Sequence, residues 1–452
     1  METKRSILTV DRQRLVNIAS VTMFIHVLCG LMRYLTNVNV VLAVDYLSTA
    51  VLLCAAVMHC VQYRVDPRAL LRGCREQTVL CLFFLWCVVS QIANVFFDGP
   101  HSAYFLPNAL HDTLLIVFVF FPYGRFAAQC GAPRIGAVLL KVLIALWTAF
   151  IAFMLVNVFM GRVVHLPGGI RLGVYDSLKF NLNNNQNHTS CFEFIFMILC
   201  VFELLISRRR SIKALYALFA LIHFVGMALS DSRTFLYSSL ILCAAFVFYI
   251  LYRVFKEKPL WRRILFSMVI ALAAAVCLYA LRLCAWKIYD ALKEDAPVQK
   301  SLVYEKLTTF TSRTTIWKGC MQNLYSDVKL HFFGMGVANS KSLVFDVIGS
   351  KLYTHNQFLE VFVCVGIPGL ILFVMFALLA LSNAVKVLFD RCTKPVYAYI
   401  ALCIPILLLA NQFEALLLFY RRPGSYVFYL CCGFLCEYAK RLKKTQEQLS
   451  CL

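Results

Sequence analysis

The chain has 452 residues, 61% of them hydrophobic, and a formal net charge of +21. Its mean hydropathy of +0.75 excludes an ordinary water-soluble domain and implies a polytopic membrane protein. The basic excess lies in short clusters beside apolar segments, the pattern of membrane topology and anionic-lipid contact, which argues against nucleic acid as a partner.

In chain order, apolar segments of spanning length fall at 15–35, 38–62, 78–97, 104–122, 136–160, 190–206, 213–230, 233–252, 262–284, 355–383, 395–413 and 423–438. They predict an all-α polytopic fold of about twelve transmembrane helices. The whole chain, 1–452, reads as a single integral membrane domain with one large extracytoplasmic loop at 287–354. Alternate threading puts most Lys and Arg on one side, in pieces such as Arg64/Arg68/Arg72/Arg75, Arg208 to Arg210 with Lys213, and Lys440 to Lys444. By the positive-inside rule that side is cytoplasmic and carries both termini. The first span follows Lys4, Arg5, Arg12 and Arg14 and is too long for a signal-peptide core, so it reads as an uncleaved anchor.

The 20 cysteines do not make a redox framework. Most, such as Cys54, Cys81, Cys87, Cys277 and Cys431, fall inside spans, where Cys behaves as a small hydrophobe. No CxxC or metal-ligand spacing occurs. No internal repeat and no paired broken spans are evident, which weakens a transporter reading. Acids within spans read as few, Asp45 and Glu414 chief among them, and as residues that pair within the bundle. No phosphate-binding fingerprint is present, so a cytosolic nucleotide-activated donor is not expected.

Two outer segments stand out. Residues 161–189 carry Pro167-Gly168-Gly169, Arg171 and an Asn-rich run at Asn181, Asn183, Asn184 and Asn185, and read as solvated loop. Residues 287–354 hold nine Lys/Arg against six Asp/Glu, with a helix expected from about 313 to 325, an end near Asp327 and a turn at Gly334-Met335-Gly336. Three helix starts share one design. Asp231 or Ser232 caps a span opened by Arg233, Ser312 precedes Arg313, and Thr354 caps the tenth span with His355 in its first turn. An Arg in a first helical turn opposes the dipole unless an anion docks there, and phosphate is the natural ligand. Taken singly, such an Arg ordinarily snorkels to water or headgroups, and a lone His is ordinarily structural.

Together, Ser232-Arg233, Ser312-Arg313-Thr314-Thr315-Ile316-Trp317, Phe333-Gly334-Met335-Gly336, His355-Asn356-Gln357-Phe358-Leu359 and Val365-Gly366-Ile367-Pro368-Gly369 resemble the O-antigen ligase and polymerase superfamily of bacterial membrane glycosyltransferases. A weaker likeness lies in Arg171-Leu172-Gly173 and the Asn run. The resemblance implies a bacterial inner-membrane enzyme of GT-C-like fold with an outward-facing site. Its partners would be a polyprenyl-diphosphate-linked glycan donor, a glycan or lipid acceptor, and membrane lipids. It implies that Arg233 and Arg313 hold the pyrophosphate and that His355 takes the acceptor's proton. It also implies that Arg171, Asn184 and Asn356 bind substrate, Asn356 by orienting His355. Some family ligases carry a second His where this chain has Thr354. No DxD motif occurs, and no metal or cofactor is expected. Gly366 and Pro368-Gly369 are expected to kink the tenth span, either making room beside His355 or only for packing. Ligase and polymerase remain open alternatives. A transporter or flippase for a lipid-linked or anionic precursor is the rival reading, and a non-catalytic envelope scaffold is a third.

Overall fold

The computed structural model describes residues 12–35, 39–62, 74–98, 106–131, 133–160, 162–166, 170–175, 179–181, 186–230, 232–255, 258–291, 313–337, 340–349, 353–390, 393–419 and 423–450. It is a helical, multi-pass membrane architecture. Among the described residues, nine helices are long and apolar enough to cross a membrane. The three other expected spans coincide with helices at Leu260–Ala291, Pro395–Ala410 and Pro423–Ser450, of which the second is a 16-residue apolar helix. Large apolar side chains stay exposed along the spans, among them Leu47, Phe96 and Leu272, as a bilayer solvent requires. The chain divides into two compact units: Met1–Leu143 with Thr315–Asn383 and Ala415–Leu452, and Ile144–Thr314 with Ala384–Glu414.

The first unit holds α1 (Arg12–Leu35), α2 (Asn39–Gln62), α3 (Arg75–Asp98), α4 (Leu106–Leu115) and α5 (Phe121–Cys130), with a π-helical turn at Ile116–Phe120 between the last two. Helix α6 (Arg134–Phe159) passes from this unit into the second. The expected span at 104–122 runs on to Cys130. Within that extension the Arg125 guanidinium meets Gln77 at 2.6 Å and Glu437 at 3.4 Å, so the charge is carried inside the bundle. Helix α5 packs backbone to backbone on the last helix: a Cβ at Gly124 would lie 2.1 Å from Leu430 O, and one at Gly433 would lie 2.1 Å from Phe121 O.

In the second unit, residues 164–181, expected as loop, form a three-stranded antiparallel ribbon instead. Its strands are β1 (Val164–Leu166), β2 (Ile170–Tyr175) and β3 (Lys179–Asn181). The β-branched and aromatic residues of Ile170-Arg171-Leu172-Gly173-Val174-Tyr175 explain the central strand. Helices α7 (Gln186–Ile206), α8 (Arg210–Leu229), α9 (Arg233–Val254) and α10 (Leu260–Ala291) follow as antiparallel neighbours. Inside this unit His223 bonds Glu193 at 2.7 Å and Thr148 at 2.9 Å.

The large loop then supplies α11 (Arg313–Ser326), α12 (Val328–Phe333) and α13 (Ser340–Ile348). The first matches the expected helix. Asp327 ends it and caps the next, accepting from the Lys329 amide at 2.8 Å. Ile316, Cys320 and Leu324 of α11 pack with Leu343 and Val344 of α13 and with Phe362 and Val363 of α14 (Gln357–Phe389). The expected kink in α14 is present, with Gly366 at φ +70°. A Cβ there would lie 2.1 Å from Phe332 O, so the bend is filled by the α12 backbone and serves packing. The carbonyls it frees are satisfied: Val363 O accepts from the Met335 amide and Val365 O from Trp86 Nε1, both at 2.7 Å. Helices α15 (Pro395–Ala410) and α16 (Pro423–Ser450) complete the chain.

Candidate active site

Arg233 is the first residue of α9. Ser232 holds the cap position in extended conformation, but its side chain makes no cap hydrogen bond, which corrects the expected Ser or Asp cap as far as Ser232 is concerned. The Ser232 hydroxyl is buried with no hydrogen-bond partner among the described residues. Asp231 and Ser312 lie outside the described residues.

Helices α9 and α15 lie antiparallel. At one end Arg253 Nη1 donates to Asp390 O at 3.0 Å, and midway Phe246 meets Tyr399 with ring centroids 5.1 Å apart. The opposite ends, Arg233 on α9 and the residues after Ala410 on α15, therefore belong to the same end of the second unit. There Arg313, first residue of α11, donates from Nη2 to Glu414 Oε1 at 2.8 Å. Glu414 is fully buried while Arg313 remains 23% exposed. The structure thus brings the two sequence-predicted arginines, 80 positions apart in the chain, to one end of one unit. A fully buried carboxylate needs such a partner, so the reading of Glu414 as a pairing residue holds.

His355 belongs to the first unit. Helix α14 begins at Gln357, so the histidine precedes the helix rather than sitting in its first turn. The cap is Asn356, not Thr354: Asn356 Oδ1 accepts from the Phe358 and Leu359 amides, both at 3.0 Å. Thr354 is fully buried and donates from its amide and its hydroxyl to Glu360 Oε2, at 3.0 and 2.8 Å. Its carbonyl accepts from Trp317 Nε1 at 2.8 Å. Between these two fixed neighbours His355 adopts a left-handed backbone, φ +53°, with its ring 4.4 Å from that of Tyr353. A non-glycine residue there carries about 1 kcal/mol of strain, and such strain concentrates at working sites.

Arg171 lies on β2, paired in register with His165 of β1. Asn184 lies outside the described residues. Sequence reading missed Trp317 and Glu360 as the residues that fix the segment before His355. The acid three residues after Gln357 was a usable signal, because first-turn acids commonly bond back to the preceding chain. It also undercounted buried acids: Asp45, Glu76, Asp112, Glu193, Glu203, Glu360 and Glu414 are all buried. Several stand beside His or Asn partners that no local spacing reveals.

Residues 195–374 match the O-antigen ligase family model. The matched stretch takes in Arg233, Arg313, His355 and Asn356, and leaves Arg171, Asn184 and Glu414 outside it. None of the curated proteins matches the chain.

Proposed function

We propose that this O-antigen ligase-like membrane protein is a metal-independent glycosyltransferase of the bacterial inner membrane, with both termini in the cytoplasm. It moves a glycan from a polyprenyl diphosphate to an acceptor hydroxyl on the outer face, in cell-surface polysaccharide synthesis. His355 takes the proton from the acceptor hydroxyl as its oxygen bonds to the anomeric carbon, and the bond from that carbon to the diphosphate breaks. The guanidinium forks of Arg233 and Arg313 take up the negative charge that grows on the departing diphosphate. Asn356 secures the helix start behind the histidine, and Arg171 and Asn184 contribute to substrate binding.

The observation that best supports this reading is the placement of Arg233 and Arg313, both helix-opening residues of the matched segment, at one end of the second unit. Its test is a glycan-assembly assay on Arg313→Ala and His355→Ala. Loss of product with lipid-linked precursor accumulating outside the membrane supports transfer.

A second reading, passage of a lipid-linked or anionic precursor across the membrane, is favoured by one feature of the first unit. His26 meets Asp45 at 3.1 Å and Tyr426 at 3.0 Å, and Arg33 meets Asp45 at 3.0 Å, all within apolar helices. Ionisable groups at membrane depth commonly line such paths. Precursor retained inside the membrane in the same variants would favour it.

A further inference from the structure

Cys74, immediately before α3, and Cys436, on α16, are 362 positions apart, yet their Sγ atoms lie 3.1 Å from each other. Each thiol donates to Glu76 Oε2 at 3.2 Å. All three side chains are buried, and all belong to the first unit. The second carboxylate oxygen, Glu76 Oε1, accepts from Asn383 Nδ2 of α14, which fixes the face that the carboxylate turns toward the sulfurs. Two sulfurs and one oxygen thus form a nearly equilateral triangle whose donor atoms all lie within 4.8 Å of one another.

We propose that Cys74, Glu76 and Cys436 form a binding site for a thiophilic divalent cation of the Zn²⁺ class. Sulfur with carboxylate oxygen is a donor set for Zn²⁺ and not for Mg²⁺ or Ca²⁺, which take oxygen alone. Binding replaces the two thiol protons with the cation, so two S–H bonds break, two metal–sulfur bonds form, and two protons go to solvent. With Zn–S bonds of about 2.3 Å, tetrahedral geometry separates two sulfurs by about 3.8 Å, so the pair opens by well under 1 Å. Three protein ligands leave the fourth position to water. Asn383 acts behind the carboxylate as outer partners of metal ligands generally do. Arg125, which meets Gln77 beside Glu76 and Glu437 beside Cys436, offsets part of the site's remaining negative charge.

A disulfide is the competing fate of two close thiols. The flanking basic segments Arg72/Arg75 and Lys440 to Lys444 place this end on the cytoplasmic side by the positive-inside rule, where thiols are kept reduced. The site shares no residue with Arg233, Arg313 and His355, and it stands whether or not glycosyl transfer does. Binding ties the start of α3 to α16, so its first effect is on stability.

The test uses the full chain in detergent, purified with a non-thiol reductant and no chelator. Metal content is measured after loading with Zn²⁺ and dialysis, and Co²⁺ is added separately as a spectroscopic probe. One Zn²⁺ retained per chain, a thiolate-to-cobalt charge-transfer band, and loss of both in Cys74→Ser and Cys436→Ser support the proposal. Glu76→Gln should weaken retention at least tenfold. In the unaltered protein, Zn²⁺ should raise the melting temperature and delay alkylation of Cys74 and Cys436 as the protein is warmed toward unfolding, located by mass spectrometry, which needs no variant to fold. No retained metal, equal retention in both Ser variants, or a Cys74–Cys436 disulfide under the reducing preparation overturns it.

Discussion

Arg313 donates to Glu414 across 2.8 Å, with the carboxylate fully buried and the guanidinium partly open. Nη2 is thereby held while the guanidinium stays partly open, an arrangement suited to aiming an arginine at an anion. On the proposed function, Glu414 is a positioning residue for Arg313. Glu414→Gln should lower transfer turnover about tenfold with donor KM little changed, because the fork loses its anchor and not its charge. Steady-state kinetics with a lipid-linked donor in detergent or vesicles checks this. Glu414→Ala should also lower the melting temperature, since removing one partner of a buried pair costs about 3 kcal/mol or more.

Replacing Arg313 by Lys should be nearly as damaging to turnover as replacing it by Ala, on the order of 100-fold. A point charge on a flexible stem does not reproduce a fork aimed at phosphate oxygens. Single-turnover product formation separates this from loss of donor binding.

Gly366→Ala should cost at least 2 kcal/mol and sharply reduce the amount of folded protein recovered. The residue has φ +70°, and its Cβ would lie 2.1 Å from the carbonyl oxygen of Phe332, so neither backbone can yield without breaking the α12–α14 contact. Gly369→Ala is the milder comparison: its backbone is not left-handed, and the nearest atoms are Val365 Cγ2 and Cβ, which belong to a side chain and not to backbone. Size-exclusion profiles and thermal melts of the two variants should differ accordingly.

Cys320 should resist thiol reagents at neutral pH until the protein is denatured. It is buried in the α11–α13–α14 core, and burial, aided by the charge of Glu360, pushes its thiol up to about 12. The reactive thiolate therefore forms only well above the ordinary cysteine range. Alkylation mass spectrometry before and after denaturation reads this directly. Modification of Cys320 in the folded state would contradict the packing described.

Much of this was readable in the chain. The apolar spans, the α11 helix from Arg313 and the kink at Gly366 follow from local patterns of apolar length, capping and backbone freedom. The pairing of Glu414 followed from the cost of a buried charge. The Asn356 cap was not identified, because Thr354 and Asn356 are both good capping residues and the choice was decided by Glu360 and Trp317, which take up Thr354. The ribbon at 164–181 was hidden by its polar and glycine-rich composition. Arg125 inside α5 and the Cys74–Glu76–Cys436 cluster depend on contacts hundreds of positions apart, which no spacing rule reaches.

The central claim is that Arg313 and His355 act on an outward-facing, lipid-linked glycan. The most direct measurement is the amount and membrane sidedness of lipid-linked precursor in cells carrying Arg313→Ala or His355→Ala, with protein level and folding matched. Glycosyl transfer predicts that product disappears while precursor collects on the outer face. Precursor confined to the inner face, or undiminished product in both variants, would contradict it.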